Sequence, residues 1–169
     1  DLETPLSLYL KLTAPKTGDA PATGGRPHSF LLESVVGGER FGRYSFIGLP
    51  ARTVLRASGF VTEVVTAGVV TERHEGNPLD FIAAYQQRFK VALQSGLPRF
   101  CGGLAGYFGY DAVRCIEPKL AHTELPGGLG TPDILLLQCE ELAVIDNLSG
   151  RLSLIVYANP QEPDALPRA

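Results

Sequence analysis

Apolar residues in this chain gather in short runs, separated mostly by clusters of Gly, Pro, Asn, Asp and Ser. Thr4-Pro5 opens the first run: a threonine can cap free amides, and proline suits the first helical position. Leu6, Leu8, Tyr9, Leu10 and Leu12 then fit a short helix, with a strand as the alternative. Residues 13–27, with three prolines and three glycines, read as an exposed mobile loop. Two further apolar runs, Phe30 to Val36 and Tyr44 to Leu49, flank Gly37-Gly38-Glu39-Arg40. Both glycines tolerate positive φ, so this stretch predicts two strands meeting at a turn.

Arg52 to Ala57 alternates polar and apolar residues as a half-buried strand does, and Ser58-Gly59 turns it. Phe60 to Thr66 and Val69 to Arg73 form a second β pair around Ala67-Gly68. Asn77-Pro78-Leu79-Asp80 is a helix start, with Asn as cap, Pro in the first turn and Asp near the amide end. Leu79, Ile82, Tyr85, Phe89, Ala92 and Leu93 then recur at helical spacing until Gly96 and Pro98. The spacing predicts a long amphipathic helix over 78–95 laid on a sheet, its aromatic stripe in the core. Phe100 to Asp111 reads as a buried strand in which Gly103, Gly106 and Gly109 mark close approach by another backbone or a ring. Asp133 to Asp146 reads as one long apolar strand, turned by Asn147-Leu148-Ser149-Gly150 into Arg151 to Tyr157. Residues 159–169 read as a linker-like tail. Tight connections between short strands imply antiparallel pairing. The fold class expected is α+β: a mostly antiparallel, sandwich-like β-sheet with the helix packed on it, in a single domain over 1–169.

Composition narrows the function. With 169 residues and 44% apolar content the chain can build one cored domain. Its 15 basic and 18 acidic residues give a net charge of −3 with no basic stripe, which argues against nucleic acid. No apolar stretch reaches the ~18 residues of a membrane span. Cys101, Cys115 and Cys139 share no CxxC spacing, so a disulfide scaffold is not expected and a reducing cytoplasm fits. Methionine is absent and the chain opens on Asp1, which we read as an excised piece of a longer protein.

No catalytic constellation stands out. His28, His74 and His122 lack metal-ligand spacing and read as surface residues. No GxSxG elbow or phosphate loop is present. Glu140 and Glu141 are adjacent, and neighbouring strand residues face opposite ways. The polar residues that break pattern are Glu33-Ser34 and Tyr44-Ser45, set within apolar runs. They fit a solvated strand end, or a polar notch in an apolar wall able to hold a small zwitterion, and spacing does not decide.

Leu31-Leu32-Glu33-Ser34 and Gly42-Arg43-Tyr44-Ser45-Phe46-Ile47-Gly48 resemble the N-terminal domain of anthranilate synthase component I. So do Asp1 to Leu12 and Gly102-Gly103-Leu104-Ala105-Gly106-Tyr107-Phe108-Gly109-Tyr110-Asp111, in the family's order. Aminodeoxychorismate synthase component I has a similar domain and is the nearest alternative; a stand-alone amino-acid-binding or subunit-docking module is the alternative outside the superfamily. The resemblance implies that a larger chorismate-binding domain follows, carrying Mg²⁺ and the acid-base groups, with no cofactor and no catalytic residue here. It implies a glutamine amidotransferase subunit as partner, and L-tryptophan as feedback inhibitor bound between the two domains. Carried across by motif, the tryptophan contacts are Leu32, Glu33, Ser34, Tyr44 and Ser45, although some family members have lysine where Tyr44 stands.

Overall fold

The computed structural model describes residues 3–14, 28–33, 42–120, 129–161 and Ala165. Among them the elements run α1 (Pro5–Thr13), β1 (Phe30–Leu32), β2 (Tyr44–Gly48), β3 (Thr53–Ser58), β4 (Val61–Thr66), β5 (Val69–Glu75) and α2 (Pro78–Gln86). There follow β6 (Gly103–Phe108), two 3₁₀ turns (Tyr110–Cys115 and Pro118–Leu120), β7 (Ile134–Cys139), β8 (Glu141–Asp146) and β9 (Arg151–Val156). The strands make a four-stranded sheet in the order β1-β2-β8-β9 and a five-stranded sheet in the order β5-β4-β3-β7-β6. The expected α+β class with antiparallel sheets is what forms. The chain divides into two compact units: Asp1–Ala51, Gly96–Gly103 and Cys139–Ala169 in one, Arg52–Ser95 and Leu104–Gln138 in the other.

In the first unit, α1 begins where a threonine cap predicts. Thr4 Oγ1 accepts from the Ser7 amide at 3.0 Å and Ser7 Oγ accepts from the Thr4 amide at 2.8 Å, a reciprocal cap that favours helix over strand. The helix lies against β1 and β2. β2 and β8 form the centre of the sheet, with Ile47 opposite Ala143 and both fully buried. The β8–β9 hairpin closes through the Gly150 amide, which donates to the Asp146 carbonyl at 2.8 Å, with Gly150 at φ +66°. That positive φ is why glycine stands there. The loop at 15–27 and the turn at 37–40 lie outside the described residues.

In the second unit, β3, β4 and β5 form a meander, and Leu55, Val64, Ile134 and Leu136 pack with Phe81, Ile82 and Tyr85 of α2. Asn77 starts that helix as expected. Its Oδ1 accepts from the Leu79 amide at 2.9 Å, while its Nδ2 donates to the Cys115 carbonyl at 2.9 Å. Thr62 is fully buried, and its hydroxyl has no hydrogen-bond partner among the described residues.

Three expectations need correction. The helix does not run over 78–95 but stops at Gln86. Helices in proteins persist where tertiary packing receives their apolar face. Past Tyr85 little does: Phe89 touches only the Tyr85 ring among the described aromatic residues, centroids 5.3 Å apart, and stays 50% exposed, while Leu93 is 69% exposed. Arg88 instead clamps Glu72 of β5 with two hydrogen bonds at 2.6 and 2.8 Å, its guanidinium 4.9 Å from the Tyr85 ring centroid. The run from Asp133 to Asp146 is not one strand either. It breaks at exposed Glu140, and its halves join different sheets. Finally, β6 is not buried. Among the described residues it is an edge strand with a neighbour on one side only, and Tyr107, Phe108 and Tyr110 are 40%, 54% and 93% exposed.

Of the three glycines read as marking close approach, Gly106 and Gly109 do so, whereas a Cβ at Gly103 would meet nothing within 4 Å and that residue instead has φ +111°. A Cβ at Gly106 would stand 1.9 Å from the Leu135 carbonyl oxygen, a backbone atom that cannot swing away. Gly106→Ala is therefore expected to destabilise the protein by about 1–3 kcal/mol. Urea unfolding monitored by circular dichroism measures this, and an unchanged midpoint would refute the packing argument.

Candidate functional site

Because neighbouring strand residues alternate between faces, cross-strand register fixes which side chains share a surface. The pairs Leu32↔Phe46, Phe46↔Val144 and Val144↔Ser153 lie on one face of the four-stranded sheet. Tyr44, Asp146 and Arg151, paired in the same register, continue it toward the β8–β9 turn. Ser45, Ile47 and Ala143 occupy the opposite face. Phe100 sits edge-on to Phe46, ring centroids 5.6 Å apart, and Tyr44 lies 6.0 Å from Phe46. The result is an aromatic surface at one end of which charges collect.

Those charges are ordered. Arg43 Nε and Nη2 donate to Asp146 Oδ1 and Oδ2 at 3.3 and 3.0 Å, and the same guanidinium lies 4.9 Å from the Tyr44 ring centroid. Asp146 Oδ1 also accepts from the Leu148 amide at 3.1 Å and the Ser149 amide at 3.4 Å. Hydrogen bonding to the Arg43 guanidinium, helped by the turn amides, holds the Asp146 carboxyl well below the usual carboxylate range. The same pairing raises Arg43 above its ordinary value. Around this pair is a cavity of about 130 Å³, lined by Arg43, Tyr44, Val144, Asp146, Arg151 and Ser153 together with Gly96, Pro98 and Ser149.

Of the residues singled out from sequence, Leu32 and Tyr44 come to this one face, Leu32 being 55% exposed and Tyr44 half-buried. Glu33 is exposed just past β1. Ser34 lies outside the described residues. Ser45 is fully buried on the other face, where its hydroxyl accepts from Asn147 Nδ2 at 3.1 Å. That amide nitrogen also donates to the Gly42 carbonyl at 3.0 Å, so Ser45 braces the entry to β2 rather than facing the cavity. Arg43, Asp146 and Arg151 were not picked out from sequence. The available signal was spacing: Asp146 and Arg151 flank a four-residue turn and so must face each other.

Other candidate chemistry is sparse. His28 is exposed, whereas His74 is half-buried and stacked on Phe81 with centroids 5.0 Å apart, so it is a packing residue rather than a surface one. His122 lies outside the described residues. Cys101 and Cys139 are buried and Cys115 half-buried, its thiol pushed up by burial. Tyr157 donates its hydroxyl to the Cys101 carbonyl at 2.8 Å, and burial raises that phenol to about 12. Among the described residues no group of three or more His, Cys, Asp or Glu is arranged to hold a metal ion, and no helix is long and apolar enough to cross a membrane.

No family model matches the chain. Individual proteins do. It is 54% identical over 172 aligned residues to anthranilate synthase component 1 of Neisseria meningitidis serogroup B, covering 100% of this chain and 33% of that protein. The protein of the same name from Pseudomonas aeruginosa is 49% identical over 169 residues, with 99% and 32% covered. Among solved structures, anthranilate synthase component I from Streptococcus pneumoniae TIGR4 superposes with a TM-score of 0.58 at 25% identity, over 99% of this chain and 33% of that one. The chain thus spans about a third of the length of the relatives it matches.

The charge arrangement has a pH signature. A carboxyl whose folded pKa is depressed contributes stability above its unfolded pKa, about 3.9 for Asp, and that contribution fades as pH falls through the window below it. Asp146→Asn is therefore expected to melt earlier than the parent protein at pH 7, with the difference shrinking below about pH 4. Melting temperatures of both proteins from pH 7 to pH 3 test this. A constant difference across the range would show that the ion pair is not its source.

Proposed function

The chain belongs to the anthranilate synthase component I family as a homologue of its N-terminal third, and we propose that it forms the inhibitor-binding region of an enzyme making anthranilate and pyruvate from chorismate. The observation carrying this reading is the end-to-end 54% identity with a protein of that name. The shared name favours anthranilate over the aminodeoxychorismate branch. Chorismate, Mg²⁺ and the acid-base groups belong to the remaining two thirds of such an enzyme, and no residue of this chain is assigned to them. A glutamine amidotransferase subunit supplies ammonia from glutamine, releasing glutamate.

L-Tryptophan is the inhibitor, bound at the aromatic face. Leu32 and Tyr44 offer apolar walls to the indole, while Glu33 neutralises the ammonium and the Ser34 hydroxyl bonds the zwitterion. Ser45 acts from behind, through Asn147. Binding favours one arrangement of the enzyme over another, and a coupling of ~1–3 kcal/mol suffices for feedback control.

The test uses the full-length enzyme with chorismate and ammonia, followed by anthranilate fluorescence and pyruvate release. Ser34→Phe fills the notch and is expected to raise the tryptophan concentration for half-inhibition about tenfold or more while turnover persists. Unchanged inhibition would remove Ser34 from the site. Failure of the unmodified protein to form anthranilate would overturn the enzyme assignment.

A further inference from the structure

We propose that the cavity beside Tyr44 is the subsite for the carboxylate of the bound amino acid, with Arg151 as its anchor; this rests on the tryptophan reading above. The argument begins with Asp146, which register sets directly opposite Arg151. An ion pair across the strands is the expected outcome of that placement. It does not form, because Asp146 is already saturated: both of its oxygens take the fork of Arg43, and Oδ1 takes two turn amides besides. Among the described residues Arg151 has no acidic partner within 4.0 Å. The cavity thus holds two guanidinium groups against one carboxylate, an excess of one positive charge.

A guanidinium matches a carboxylate with two parallel N–H donors, and the Ser153 hydroxyl on the same wall offers a further neutral donor. Size sets what else fits. About 130 Å³ accommodates a carboxylate and the carbon bearing it, well short of the roughly 300 Å³ at which pockets for whole drug-sized ligands begin. The side chain of the ligand therefore lies outside, along Tyr44, Phe46 and exposed Leu32. Arg43 is spent on Asp146 and stiffens the wall, and Arg151 is left to meet the anion.

Calorimetric titration of the full-length enzyme with L-tryptophan and with tryptamine, which lacks the carboxylate, tests the assignment. Arg151→Gln is expected to weaken L-tryptophan about 10- to 100-fold and to leave tryptamine unchanged. Arg151→Lys keeps the charge without the fork and should fall between; if the glutamine variant melts early, the lysine variant decides by the same ratio of the two ligands. Should Arg151→Gln bind L-tryptophan as the parent does while Ser34→Phe abolishes binding, the carboxylate subsite is wrong and the inhibitor site stands. Equal losses for both ligands would make Arg151 structural and overturn the subsite. An unmodified enzyme that binds no tryptophan overturns both readings.

Discussion

The pairing of β2 with β8 is the constraint on which the first unit rests. It joins residues 44–48 to residues 142–146, and Ile47, Leu142, Ala143 and Val144 are each no more than 2% exposed. Long-range closure of this kind costs chain entropy that only burial returns. The apolar middle of the pair provides the burial, while its polar end, where Arg43 meets Asp146 across 103 positions, fixes the register. A slip by one residue would send Ile47 and Ala143 to the wrong face, so the two ends of the strand enforce each other.

The same pairing makes the site. Tyr44, Asp146 and Arg151 share a face because register puts them there, and Asn147 ties the hairpin turn to Gly42, Arg43 and Ser45 through three hydrogen bonds. An exposed ion pair contributes little to stability by itself. Its effect here is positional: it withdraws Asp146 from Arg151 and holds Arg43 over the tyrosine ring.

Much of this was legible in the residues, and what was not has definite causes. Capping chemistry located both helix starts, since Thr4 and Asn77 act through local bonds that sequence displays. Turn chemistry located the β8–β9 hairpin through Gly150. Helix length was misread because Phe89 and Leu93 keep the period of a buried stripe yet remain at least half exposed, a tertiary fact. The break at Glu140 was hidden for the same reason: an apolar run does not say which sheet receives each half. Family motifs singled out Leu32 and Tyr44, which share one face of the sheet, together with Ser45, which alternation puts on the other. Arg151 was passed over because one charge beside a turn looks like ordinary solvated surface.

The order in which the strands occur carries a consequence for synthesis. β2 is synthesised more than ninety residues ahead of its partner, as Gly48 pairs with Leu142. At about 5–20 residues per second that is a wait on the order of ten seconds. Nearly all of the second unit, from Arg52 to Gln138, is made in the interval. The nascent first unit thus holds an apolar strand with one empty edge until the last sixth of the chain arrives, and that interval is when it is most open to chaperones and to mispairing.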